Sequence, residues 1–253
     1  MKRFHDFFVI IPARLESTRL PRKVLLELGG LPMLIHVAKR CQQSQAREVC
    51  VATDSSEIMA TCQRHNIPVI MTQTHHQSGT DRLAEAVQKL KFEPEQIIVN
   101  VQADEPLIEP NLIDQLVRDF SQSTSPVGTL AYPLLDKEDF DNPNLVKVVL
   151  SKLSTALYFS RAPIPFEAYS LPSLSALGHM GVYAYRAKFL YEYSRLGPTS
   201  IEQAERLEQL RILWHGYTIH VSCVSPPKGK GIDTQKDFEE ILKIFDTNTN
   251  KEL

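Results

Sequence analysis

The chain has 253 residues, 43% hydrophobic, 23% charged and 8% aromatic, the proportions of an ordinary globular protein long enough to bury a core without disulfide or metal staples. Its 28 Lys and Arg against 30 Asp and Glu leave a formal charge of −2. That excludes a global basic field for nucleic acid or an acidic membrane, so an anion site must be a local cluster. Cys41, Cys50, Cys62 and Cys223 form no C-x-x-C pair and no zinc-like spacing with the eight histidines; they are expected to be reduced, mostly structural thiols of a cytoplasmic protein.

Phe7–Ile11 is an apolar, β-branched run ending at Pro12, which predicts a strand buried on both faces. It is too short for a membrane span and lacks a small-residue cleavage site, so no span and no signal peptide are expected. Similar runs at Glu48–Thr53, Ile67–Met71 and Gln96–Val101 alternate with helix-length stretches at Met33–Cys41, Ser55–His65 and Thr80–Leu90. Ser55 or Ser56 is the expected cap of the second helix. This alternation predicts right-handed βαβ units, a mostly parallel sheet with helices on both faces, and ligands at the carboxyl ends of the strands.

After a helix at Leu112–Phe120 the pattern changes to closely spaced strands at Val127–Leu135, Val146–Leu150 and Ala156–Phe159, with prolines at the joints. An antiparallel excursion over about 126–185 is expected within one α/β unit spanning 1–245. Phe166–Leu177 reads as a mobile surface loop. A strand at His179–Tyr185, helices at Ala187–Arg195 and Ile201–His215, a strand at Thr218–Val224 and a last helix from Thr234 to about Phe245 follow, then a polar tail at 246–253. Ala204, Leu207, Leu210 and Trp214 are the expected buried stripe of the helix Ile201–His215.

Directly after the first strand, Arg14, Arg19, Arg22 and Lys23 place four cations within ten residues against the single acid Glu16. At the ligand-binding end of a parallel sheet, such a cluster suits a nucleoside triphosphate, the guanidinium fork gripping two oxygens and the ammonium acting as a point charge. Neither G-x-x-x-x-G-K-[ST] nor G-x-G-x-x-G is present, which disfavours P-loop and dinucleotide-binding readings. Asp104 follows the fourth apolar run, where a hard cation would find a carboxylate; a turn acid beside Pro106 is the alternative. Asp233 lies between Gly231 and the last helix as a second carboxylate or as that helix's N-cap. Arg161, at a strand end before Pro163, is a candidate carboxylate binder or a plain surface arginine. His179 and Tyr183 are an even number of residues apart and share a strand face, although without a partner a core or surface histidine is the simpler reading, and Glu208 and Gln209 flank a helix stripe, where most such residues are merely solvated. His75-His76 lacks a third ligand at metal spacing.

The segments FVIIPARLESTRLPRK, VATDSSEI, HHQSGTDRLAEAV, IIVNVQADEPLI, NPNLVKVV, ALYFSRAPIPF, HMGVYAYR, LEQLRILWHG and GIDTQKDF run in order over nearly the whole chain and resemble the 3-deoxy-manno-octulosonate (Kdo) cytidylyltransferases. The resemblance implies a nucleotide-diphospho-sugar transferase type of fold. It implies transfer of CMP from CTP to Kdo with release of pyrophosphate, Mg²⁺ dependence, a homodimer, and a place in the cytoplasm of a bacterium making lipopolysaccharide. By the same resemblance Arg14, Arg19 and Lys23 hold the triphosphate with Ala13 and Ser17 beside it, and Ser78, Gly79 and Gln102 surround the nucleotide. Asp104 and Asp233 ligate the metal; Arg161, His179, Tyr183, Glu208 and Gln209 contact Kdo. The sequence departs from the family pattern at Ala103, where QGDEP is usual, at Arg22 in place of the glycine of PGK, and at Lys230 within G-T-G.

Overall fold

A computed structural model describes residues 6–17, 20–76, 78–166, 176–229 and 231–249. Strand β1 (Phe7–Ala13) is followed by a 3₁₀ turn at Lys23–Leu25 and a short hairpin, β2 (Glu27–Leu28) and β3 (Leu31–Pro32), closed by Gly29 and Gly30 at φ 55° and 82°. Two positive-φ residues make the turn whose twist matches that of a hairpin. Then come α1 (Met33–Cys41), β4 (Glu48–Thr53), α2 (Ser56–Arg64), β5 (Val69–Met71), α3 (Gly79–Leu90), β6 (Ile97–Asn100), α4 (Pro110–Ser121) and β7 (Val127–Pro133). The second half holds α5 (Lys137–Asp141), β8 (Lys147–Leu150), β9 (Ala156–Ser160), β10 (Leu177–Arg186), α6 (Ala187–Tyr193), α7 (Ser200–Glu205), α8 (Gln209–Trp214), β11 (Ile219–Cys223) and α9 (Gln235–Thr249). Ser55 caps α2, its side chain accepting from Ile58 N, and Ser78 caps α3 by accepting from Asp81 N.

Among the described residues nine strands form one sheet in the order β11-β7-β10-β6-β1-β4-β5, with β8 on β10 and β9 on β8. β1 is parallel to β4 and β6, β4 to β5, and β7 to β11, whereas β10 runs antiparallel to β6 and β7. Alternate residues of β1 feed two cores: Val9, Ile11 and Ala13 pack with α1, α2 and α4, and Ile10 packs with α3, α6 and α8. A smaller cluster of Leu20, Leu28, Met33, Ile232 and Ile241 docks α9 on the β2–β3 hairpin and α1. The chain runs outward from β1 to β4 and β5 and then returns to β6 on the other side of β1. The crevice at the carboxyl ends of β1 and β6 is therefore a topological switch point, where sheets of this kind bind ligands.

Three expectations are corrected. The single helix expected over Ile201–His215 is broken at Arg206, which takes φ 54°, ψ 49°. Its stripe shifts accordingly: Ala204 and Trp214 are exposed, while Glu202 is buried, because Glu202 closes a capping box with Thr199 and ion-pairs with Arg211 at 2.5 Å. The last helix continues through Thr249 into the expected tail. Of the expected loop at 166–177, Leu177 already belongs to β10 and residues 167–175 lie outside the described residues.

Candidate active site

Two adjoining cavities open at the switch point. The first, about 300 Å³, is walled by Ala13, Arg14 and Ser17 after β1, Lys23 from the 3₁₀ turn, Ser78 and Gly79 at the start of α3, and Gln102, Asp104 and Asp233. The second, about 260 Å³, is walled by His179 and Tyr183 of β10, Glu208 and Gln209 at the start of α8, and Asn100, Tyr185 and Tyr193. Gln102 and Glu208 belong to both and mark their junction. Arg19 and Lys230 lie outside the described residues.

In the first cavity Lys23 Nζ donates to Asp104 Oδ2 at 2.5 Å and to Asp233 Oδ1 at 3.2 Å. Two carboxylates 129 positions apart in sequence thus converge on one positive centre. Their approach is fixed by backbone, Ile232 N donating to Asp104 O at 2.9 Å, and a Cβ added at Gly231 would meet Glu105 Oε1 at 2.7 Å, so that side chain would have to shift. Asp233 is not the cap of α9. Thr234 fills that role, its hydroxyl accepting from Asp237 N at 3.2 Å while Asp237 Oδ2 accepts from Thr234 N at 2.9 Å. Burial, with the Asp104 and Asp233 charges adding, pushes Glu105 up to about 8.

The family departures acquire physical readings. Arg22 stands at φ 56°, the left-handed region where glycine is free and an arginine costs about 1 kcal/mol. Its side chain pairs with Glu57 on α2 and does not wall either cavity, so the extra cation is spent outside the site. Ala103 is buried, has no left-handed backbone and lines the first cavity, so its methyl costs no backbone strain and adds to the cavity wall.

α3 turns its N-terminus to the first cavity. Its unsatisfied N–H groups and positive dipole end suit an anion, and a Cβ on Gly79 would stand 3.4 Å from Pro12 Cγ and 3.8 Å from Gln102 Oε1. His76, read from the sequence only as half of a metal pair, and Arg82, assigned no role there, also wall this cavity. His76 is held by Glu85, and Arg82 is a buried cation paired with Asp54 at 2.6 Å.

In the second cavity β10 shifts register between Met180 and Tyr183, so strict alternation does not place His179 and Tyr183. The bulge still brings their rings to 5.4 Å. Thr129 Oγ1 donates its one proton to Val182 O at 2.8 Å, so at 3.0 Å His179 Nε2–H donates to Thr129 Oγ1 and Nδ1 is left an acceptor. Burial holds His179 down to about 3, so it is neutral at ordinary pH and offers a hydrogen bond rather than a charge. Glu208 Oε2 accepts from Thr80 Oγ1 at 3.1 Å, and burial raises its pKa. Arg161 is elsewhere: its guanidinium donates to Glu205 O at 2.8 Å and Pro143 O at 3.0 Å, and it walls neither cavity.

The lowered His179 has a stability consequence. Between the unfolded value of 6.5 and about 3 the unfolded chain binds a proton that the native chain refuses. The contribution is intact above pH 6.5 and is lost as pH falls, with a slope of at most roughly 1.4 kcal/mol per pH unit. His179→Gln is expected to flatten the fall of Tm between pH 6.5 and 4.5; parallel Tm profiles of variant and parent would sink the assignment.

The sequence profile of a family described as cytidylyltransferase matches residues 8–219. The chain belongs to this family. A 3-deoxy-manno-octulosonate cytidylyltransferase of Polynucleobacter necessarius is 51% identical over 243 residues, covering 95% of this chain and 96% of the relative. One from Neisseria meningitidis serogroup C is 46% identical over 96% of this chain and 99% of its own. A solved CMP:2-keto-3-deoxy-manno-octonic acid synthetase complexed with CTP superposes with TM-score 0.90 at 38% identity, covering 96% of this chain and 99% of that one. A Leptospira borgpetersenii cytidylyltransferase, TM-score 0.59 at 15% identity, shares the fold. Within the family, this cytidylyltransferase stands among the enzymes named for 3-deoxy-manno-octulosonate.

Proposed function

We propose that this cytidylyltransferase transfers CMP from CTP to the anomeric hydroxyl of Kdo, giving CMP-Kdo and pyrophosphate for lipopolysaccharide synthesis in the cytoplasm. The observation that carries the reading is the pair of cavities meeting at Gln102 and Glu208, with Arg14, Lys23, a helix N-terminus and the Asp104 and Asp233 carboxylates around one and uncharged hydrogen-bonding groups around much of the other. CTP fits the first. Arg14, Lys23 and the first N–H groups of α3 hold its phosphates, and Gly79 lets the nucleotide approach the backbone. Kdo fits the second, where neutral His179, Tyr183 and Gln209 meet hydroxyl groups. The junction sets the attacking hydroxyl against the α-phosphorus, so catalysis by the chain is positioning and charge balance. Arg19 is proposed as a further triphosphate ligand and Arg161 as a Kdo ligand on the resemblance alone.

Mg²⁺ belongs to the same proposal. Asp104 and Asp233 would hold it, and they fit: both already face a single positive centre, the Lys23 ammonium. Among the described residues no group of three or more His, Cys, Asp or Glu is set to hold a metal. Two carboxylates suit Mg²⁺, which usually takes one or two from the protein and the rest from phosphates and water. A divalent ion held by these two carboxylates would supply positive charge for phosphoryl transfer. Lys23 keeps the two carboxylates balanced in the free protein.

The homodimer is also proposed. β9 is an edge strand that exposes Leu157 (59%) and Tyr158 (36%), with Leu153 (81%) just before it, and an exposed apolar edge calls for a partner. Pyrophosphate release with CTP, Kdo and Mg²⁺, each omitted in turn, tests the reaction, and sedimentation equilibrium tests the dimer. Turnover requiring all three components and a mass of two chains are expected; turnover without Kdo or CTP, or a monomer at micromolar concentration, would overturn the respective part.

A further inference from the structure

The second cavity contains two polar atoms that the fold buries and leaves unpaired. Asn100 and Tyr193 are each 1% exposed, and among the described residues neither Asn100 Oδ1 nor Tyr193 Oη has a hydrogen-bond partner. Both residues wall the cavity. Asn100 ends β6 after the buried aliphatics Ile97, Ile98 and Val99, with Ile10 of β1 and Tyr183 of β10 as its neighbours across the sheet. An asparagine in the middle of a sheet has poor strand propensity, and burying its acceptor unmatched is unfavourable. The amide nitrogen donates to the Tyr185 hydroxyl, which accounts for one end of the side chain; the amide oxygen at the other end is left without a use in the packing. The ring of Tyr193 is explained: it lies 6.1 Å from Phe189 and 5.3 Å beneath the Arg211 guanidinium. The hydroxyl is not, because phenylalanine would keep both contacts.

We propose that Asn100 and Tyr193 are specificity-determining residues for the acceptor, Asn100 Oδ1 accepting a hydrogen bond from one hydroxyl of the sugar acid and Tyr193 Oη bonding to another. The amide oxygen only accepts, whereas the phenol both donates and accepts, and a bound sugar brings hydroxyls that satisfy both. An acceptor lacking those hydroxyls leaves the two atoms buried and unmatched, and the site rejects it for that reason. The inference rests on the reading of the second cavity as the Kdo site.

Ligand binding and a purely structural role predict opposite behaviour, so two variants decide. Tyr193→Phe and Asn100→Leu keep shape and remove the unpaired atoms. Each is expected to raise KM for Kdo about tenfold, the value of one hydrogen bond of ordinary strength. KM for CTP should stay within about twofold in both; Tm should be unchanged or higher in Tyr193→Phe, since an orphaned polar atom has gone, and lower in Asn100→Leu, which also gives up the amide contact to Tyr185. Kdo analogues lacking one hydroxyl sharpen the result, because the analogue missing the contacted group should lose nothing further in the variant. Parental KM for Kdo in both variants of an active enzyme would overturn this inference alone. In Tyr193→Phe, a lowered Tm with both KM values moving together would do the same, as the mark of a structural role. A parent enzyme that releases no pyrophosphate from CTP with Kdo would overturn the reaction itself and the inference with it.

Discussion

Asp104→Asn is expected to lower kcat by about three orders of magnitude or more, because a charge that acts in the transition state is removed while the shape of the site is kept. The side chain stands after β6 at the switch point, one of two carboxylates facing Lys23. Asparagine preserves its volume and one acceptor oxygen but not the charge a hard cation demands. Asp233→Asn should behave alike, although its side chain is 54% exposed against 28% for Asp104. Residues that serve one ion act as a unit, so the double variant should cost little more than either single change. Steady-state kcat at saturating CTP, Kdo and Mg²⁺ measures this, with Tm as the control for folding. An Asp104→Asn enzyme retaining more than about a tenth of parental kcat, or strict multiplication of the two single effects, would overturn the proposal that the pair holds a metal.

Much of the architecture was legible because the fold repeats one local rule. Apolar β-branched runs gave β1, β4, β5 and β6, and Met33–Cys41 and Glu48–Thr53 coincide with α1 and β4. The basic cluster and Asp104 were visible since each directly follows such a run. What escaped was information held in tertiary contacts. Thr199 and Glu202 carry the capping-box spacing that starts α7, yet nothing at Arg206 announces a left-handed residue, so the break before α8 is invisible. On the residues alone Asp233 read more readily as a cap than as a ligand; in the fold Thr234 and Asp237 satisfy each other and take that role. Asn100 is one polar letter in an apolar run, and its meaning depends on β10 and α6 closing over it. His179 and Tyr183 illustrate a right pairing for an incomplete reason: the period-2 argument fails at the bulge, and it is the bulge that sets their rings side by side.

Arg82 would have passed for a surface residue of α3, and the second large effect is expected there. Its side chain is 3% exposed; Nη2 donates to Asp54 Oδ2 at 2.6 Å and Nη1 to Thr72 Oγ1 at 2.5 Å. One guanidinium thus ties α3 to the segments leaving β4 and β5, beside the first cavity, whose wall it shares and where CTP is proposed to bind. Arg82→Met removes the fork and leaves the Asp54 carboxylate, 17% exposed, without its counter-charge. Breaking a buried pair from one side costs about 3–5 kcal/mol, much of it the stranded partner. The origin of that cost sets the second half of the prediction. If the stranded charge dominates, Asp54→Asn added to Arg82→Met should recover a large share of the loss, although each change alone destabilises. Arg82→Lys should recover less than the parent, since an ammonium cannot reach both partners in one plane. Urea midpoints of the four variants and the parent measure this. A loss below about 1 kcal/mol in Arg82→Met would show the pair to be as weak as a surface ion pair. A double variant no better than Arg82→Met would place the loss in packing and in the Thr72 contact rather than in the orphaned carboxylate. KM for CTP in Arg82→Lys then reads the remaining link, because a cavity wall held by a looser tether should bind the nucleotide less tightly while kcat stays near parental.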